Sequence, residues 1–196
     1  MNLDSDKIHL TIFASGSGSN AENLMKYFQN HPAIKIEYVI SDKASAGAIE
    51  KAKQYHVHSK ILDASYLNDD EKLLAFLKST KTDVIILAGY LKLIPKNITE
   101  FYPNKIINIH PALLPKFGGK GMYGKKVHQK VFESGESESG ITIHLVNEKY
   151  DEGAVLFQEK FPILNTDTPK SIEKKVRQLE LKNFPHQVEK YVLSFK

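Results

Sequence analysis

Asn108-Ile109-His110-Pro111-Ala112-Leu113-Leu114-Pro115 decides the fold. The apolar pair Ile106-Ile107 leads into it and reads as a short buried strand. Pro111 has no N–H to give a ladder, so the strand must stop by that point, and Pro115 again forbids regular structure. Asn108 and His110 are two apart on an extended segment, which points both to one side at the strand's carboxyl end. In open α/β sheets that end opens onto the ligand crevice. An amide and an imidazole placed there can act on a carbonyl: the amide donates a hydrogen bond, and the imidazole moves a proton or stabilises an oxyanion. An isolated Asn-x-His also reads as a histidine satisfied by backbone where a strand turns. The two prolines, and Asp151 further along, favour the chemical reading.

Upstream, residues 8–14 read as a buried first strand, followed by Ser15-Gly16-Ser17-Gly18-Ser19-Asn20 and a helical pattern over 21–28. A strand, a Gly-Ser loop and a helix N-terminus make a phosphate site, because free amides and the helix dipole favour an anion. The same loop fits the dinucleotide pattern G-x-G-x-x-A, and Asp42 follows a second strand at 34–40, where a ribose-binding acid would sit. Two readings therefore stand at this loop, a phosphate ligand and a nicotinamide cofactor, beside that of a plain β–α turn. Residues 44–55 read as a helix, 60–62 as a short strand, and Asn68-Asp69-Asp70-Glu71 as the cap of a helix to about 79. His56 and His58 have no third ligand nearby and read as solvent-facing. Val84 to Leu87 is apolar throughout, as a strand covered on both faces should be. Leu91-Lys92-Leu93-Ile94-Pro95 follows it as an apolar loop.

Beyond Pro115, the glycines of residues 118–124 lack the Gly-Lys-Ser/Thr and preceding strand of a P-loop, and read as a lid or surface loop. His128 opens a helix to about 133, on its surface or in its ligand face alike. Residues 140–146 alternate as a strand, 147–153 turn the chain, and 154–161 return as another strand. Asp151 before Glu152-Gly153 is by itself a turn residue. Thr166-Asp167-Thr168-Pro169 begins the last helix, with Ile172, Val176, Leu179 and Leu181 as its apolar stripe and Pro185 interrupting it.

The alternation of strands and helices through Asn108, then a strand pair and a long helix, implies a three-layer, Rossmann-like α/β fold. Its sheet is mostly parallel, with an antiparallel strand addition and a long C-terminal helix. At 196 residues the chain reads as one domain spanning 1–196. No apolar run approaches a membrane span, and residues 1–6 lack the basic and apolar regions of a signal peptide. With no cysteine there is no disulfide, thiol nucleophile or Cys-based metal site, and the cytoplasm is the expected compartment. A net charge of +4 with scattered lysines does not demand a nucleic-acid partner. Arg177 is the only arginine, so any phosphate must rely mainly on backbone amides, hydroxyls and lysines.

The string Asn108 to Phe117 resembles the signature of the folate-dependent formyltransferases, and the resemblance runs from about Ile8 to the C-terminus. It implies transfer of the formyl group of 10-formyltetrahydrofolate, as co-substrate, to the amine of glycinamide ribonucleotide, a step of de novo purine (IMP) biosynthesis, with no metal. By the same resemblance Asn108, His110 and Asp151 are catalytic, and Gly18, Ser19, Asn20 and Glu180 hold the ribonucleotide. Leu91, Lys92, Leu93 and Ile94, together with Asn108 and residues Asn147, Glu148, Lys149, Tyr150 and Asp151, would hold the folate. The family's folate-contacting arginine has no counterpart between Asp63 and Lys81. A tRNA-directed member would carry a further C-terminal domain, and a hydrolase member an N-terminal regulatory one; the chain is expected to have neither. The oligomeric state is left open, a homodimer included.

Overall fold

The computed structural model describes residues 6–195; most of the N-terminal stretch read for a signal peptide lies outside them. In chain order the elements are β1 (Ile8–Phe13), α1 (Ser19–Phe28), β2 (Ile34–Ser41), α2 (Gly47–Gln54), β3 (His58–Ile61), α3 (Ala64–Leu67) and α4 (Asp70–Ser79). Then follow β4 (Val84–Leu87), α5 (Lys96–Phe101), β5 (Ile106–His110), α6 (Lys125–Glu133), β6 (Glu138–Leu145), β7 (Val155–Pro162) and α7 (Pro169–Leu193).

The strands form one seven-stranded sheet in the order β3-β2-β1-β4-β5-β6-β7. Pairing is parallel from β3 to β5 and antiparallel at β5–β6 and β6–β7, so β6 alone runs against the rest. The chain moves outward from β1 to β3, then returns to lay β4 on the other side of β1. That reversal opens a crevice at the carboxyl ends of β1 and β4.

Alternation along β5 divides its side chains between two cores. Ile107 and Ile109 join the larger core, with Leu24, Phe28, Val176 and Phe184 of α1 and α7. Ile106 joins the second, with Ile85 and Leu87 of β4 and Leu73, Leu77 and Ile98 of α4 and α5. Asn108 and His110 share the face of Ile106, where register sets them opposite His144 and Thr142 of β6. The loop after β5 closes over them through the Leu114 amide, which donates to Thr142 Oγ1 at 3.0 Å.

Three elements depart from the sequence reading. The short helices α3 and α5, of four and six residues, carry too little apolar period to be read in advance. The last helix, capped by Thr168 with Pro169 in its first turn, is not interrupted at Pro185 but continues to Leu193. Proline removes the donor that would serve the carbonyl four residues earlier, at Leu181. Asn23 of α1 supplies it instead, its Nδ2 donating to Leu181 O at 2.7 Å. Leu181, five residues past Val176, is off the buried stripe, which runs at four-residue steps through Ile172, Val176, Phe184, Val188 and Val192.

Candidate active site

A crevice of about 610 Å³ runs along the carboxyl edge of the sheet. The loop after β1, the loop after β4, the end of β5, the loop before α6, the β6–β7 connection and one face of α7 all line it.

At its centre, Asn108, His110, His144 and Asp151 form a connected polar group. His144 Nδ1 lies 2.8 Å from the carbonyl of Leu145, which assigns its proton to that nitrogen and leaves Nε2 to accept from Asn108 Nδ2 at 3.0 Å. The second amide hydrogen of Asn108 faces Asp151 Oδ1 at a loose 3.5 Å. Asp151 Oδ2 accepts from the Gly119 amide at 2.8 Å and lies 3.6 Å from His110 Nδ1. His110 Nε2 is 2.8 Å from the Phe117 carbonyl. Both ring nitrogens of His110 thus face acceptors, so either neutral form leaves one lone pair against another, and only the imidazolium satisfies both.

Burial works the other way. It is the largest influence on His110 and lowers its pKa, with the Asp151 carboxylate and the Phe117 carbonyl pushing back and His144 adding a smaller lowering. Desolvation outweighs the neighbouring charge, leaving the His110 ring below the ordinary imidazole range. For Asp151 itself, burial raises the carboxyl, but the neighbouring His144 and His110 rings and the Gly119 amide together hold it below the ordinary carboxylate range.

At the far end, Gly18 caps α1 with no side-chain hydrogen bond, so the amides of the first helical turn are free to meet an anion. Gly18 has φ 74°, and a Cβ there would sit 2.5 Å from Ala48 Cα of α2. Asn20 Nδ2 donates to Glu180 Oε2 at 3.0 Å, while Asn20 Oδ1 is buried without a partner. Burial raises Glu180 against the opposing pulls of Asn20 and Arg177.

Gly18, Ser19, Asn20 and Glu180 all line the crevice, as do Leu91, Lys92, Leu93, Ile94, Lys149 and Tyr150. Asn147 and Glu148 do not: the Asn147 side chain closes the turn by accepting from the Lys149 amide at 2.9 Å. Asp42 also lies outside, accepting from Ser15 Oγ at 2.6 Å, and Ser15 Oγ in turn accepts from the Leu91 amide at 3.2 Å. The acid needed by the nicotinamide reading is thereby spent on fixing the 88–94 loop. The glycine-rich segment is a wall of the site, not a detached surface loop: residues 119–124 line it.

Sequence reasoning missed His144, Glu173 and Arg177. The last two share one face of α7 with Glu180, at helical spacings of four and three residues, and that periodicity was the available signal. Among the described residues no group of three or more His, Asp or Glu side chains is arranged to hold a metal ion. No helix among them is long and apolar enough to cross a membrane.

The buried histidines make stability pH-dependent. Burial lowers His128 as it does His110, with Glu173 opposing. An unfolded chain takes up both protons as pH falls below about 6.5, while the folded chain resists. The unfolded state then binds more protons, so stability falls with falling pH in that window. The urea midpoint is expected to drop between about pH 7 and about pH 5, and to drop less in His128→Leu. Identical profiles for variant and wild type would contradict this.

A family model described as Formyl transferase matches residues 8–188. The phosphoribosylglycinamide formyltransferase of Haemophilus influenzae is 35% identical over 182 residues, covering 90% of this chain and 83% of that protein. A chloroplastic phosphoribosylglycinamide formyltransferase of Arabidopsis thaliana is 38% identical over 173 residues; the match covers 85% of this chain but only 59% of that longer protein. Among solved structures, the phosphoribosylglycinamide formyltransferase of Bacillus halodurans superposes with a TM-score of 0.86 at 29% identity, covering 96% of this chain and 97% of its own. That of Brucella melitensis gives 0.83 at 35% identity, covering 94% and 95%. With the family model matching residues 8–188 and the fold shared over nearly the whole chain, the chain belongs to the formyl transferase family.

Proposed function

We propose that the protein transfers the formyl group of 10-formyltetrahydrofolate to the amine of glycinamide ribonucleotide. The observation that carries this reading is the convergence of Asn108, His110 and Asp151 midway along a crevice that has an uncapped helix N-terminus at one end. The ribonucleotide's phosphate occupies the amides of residues 18–20, which places its amine toward β5. The apolar 91–94 loop and the 149–150 turn take the folate ring on the opposite bank.

The amine attacks the formyl carbon, and the carbonyl oxygen becomes an oxyanion. Asn108 Nδ2, only loosely engaged with Asp151, donates to it. The growing negative charge raises the proton affinity of His110, whose two facing acceptors already suit the imidazolium. Asp151 steadies that charge and receives the proton given up by the amine. Breaking the bond between the formyl carbon and the folate nitrogen returns a proton to that nitrogen, giving formylated ribonucleotide and tetrahydrofolate.

Folate release is expected only when glycinamide ribonucleotide and 10-formyltetrahydrofolate are both present, as followed by absorbance. Release at the same rate with water alone would identify a hydrolase and sink the reading.

A further inference from the structure

His128 is 5% exposed and makes no hydrogen bond among the described residues. Its Nδ1 is shut away from solvent without a partner, while the ring lines the crevice. That placement selects a tautomer. A buried lone pair without a donor is tolerated better than a buried N–H without an acceptor. The proton therefore sits on Nε2, the one ring nitrogen able to meet a ligand. Charging the ring would bury an unpaired Nδ1–H as well, in line with the lowering that burial already imposes. His128 thus presents one neutral N–H and nothing more.

Its surroundings identify the ligand's side. α6 packs against α7, and Glu173 of α7 and the His110 ring both lie within electrostatic reach of His128. This sets His128 beside α7, the helix that also carries Glu180 of the ribonucleotide bank, and toward the reacting end. The phosphate already has the free amides of α1. A single neutral donor suits an uncharged oxygen. Resting on the formyl-transfer reading above, we propose that His128 donates its Nε2–H to an uncharged oxygen of the ribonucleotide, on the ribose or on the glycinamide group.

The test is calorimetric binding of glycinamide ribonucleotide and of ribose 5-phosphate to wild type, His128→Leu, His128→Gln and His128→Asn, with melting temperatures and both KM values. Glutamine places a donor near the Nε2 position and asparagine near Nδ1. Leucine is expected to weaken ribonucleotide binding about three- to tenfold, as loss of one neutral hydrogen bond should. The KM for folate should be unchanged and the melting temperature equal or higher, because the orphaned nitrogen is gone. Glutamine should restore binding and asparagine should not. An equal loss for ribose 5-phosphate assigns the contact to the ribose, and a loss confined to the ribonucleotide assigns it to the glycinamide group. Wild-type affinity in the leucine variant, or rescue by asparagine instead of glutamine, overturns the inference. A wild-type protein that binds no ribonucleotide overturns the formyl-transfer reading along with it; wild-type transfer with unaffected variants overturns this inference alone.

Discussion

Replacing His110 with alanine is expected to lower kcat by roughly 10²–10³, the usual loss when one group stabilising an oxyanion is removed. Substrate dissociation constants should move much less, since the group acts on charge that develops only in the transition state. Asp151→Asn is expected to fall in the same range for a related reason. Asp151 has φ 56°, a backbone conformation asparagine tolerates, so the variant keeps the loop while removing the carboxylate. It also loses the anion that faces His144 Nε2 at 3.5 Å and His110 Nδ1 at 3.6 Å. If the two residues serve one transition state, the double variant loses less than the product of the single losses. Because the Asp151 carboxylate also faces Asn108 Nδ2, some loss should persist on adding Asp151→Asn to His110→Ala. The measurement is a double-mutant cycle on single-turnover formyl transfer. Losses that simply multiply would show that the carboxylate works independently of the imidazole, and no effect of Asp151→Asn would leave it a turn residue only.

Much of this site was legible because short-range rules place it. Two-residue spacing before a proline was enough to put Asn108 and His110 on one face, and the Gly-Ser loop before an apolar helical pattern was enough to locate the α1 N-terminus. What was not legible depends on contacts between distant segments. His144 joins Asn108 only through the β5–β6 register, which no local pattern discloses. Asp42 has the right sequence distance for a ribose contact, yet its carboxylate is taken by Ser15. Pro185 is a break signal by every local rule, and a side chain of α1 cancels it. The glycine-rich segment was unreadable for a different reason. Its role turns on where its backbone polar groups point: Phe117, at φ 58°, presents its carbonyl to His110, and Gly119, at φ 95°, presents its amide to Asp151. Residue identity marks such freedom but not its direction.

The free amides at the start of α1 give the second large effect. Gly18→Ala is expected to raise the KM for glycinamide ribonucleotide by about 10- to 100-fold, the range that corresponds to one lost charge-assisted hydrogen bond. The cause is steric and conformational together. The added Cβ would meet backbone atoms of Ala48 at 2.5 and 2.7 Å, and φ 74° disfavours any L side chain. Since the clash is with backbone, Ala48→Gly cannot relieve it; the loop must shift, and its amides with it. The KM for folate should change less, because Lys149 is held through Asn147, and Ser15, which accepts from the Leu91 amide, is itself anchored by Asp42 at the far end of the loop from Gly18. The melting temperature should fall as well, so the comparison needs a control that lowers stability equally without touching the loop. Asn23→Ala, which strips the donor from the Leu181 carbonyl, serves. If that control raises the ribonucleotide KM as much as Gly18→Ala does, the effect belongs to general destabilisation; if Gly18→Ala leaves the ribonucleotide KM unchanged, the phosphate does not lie on α1.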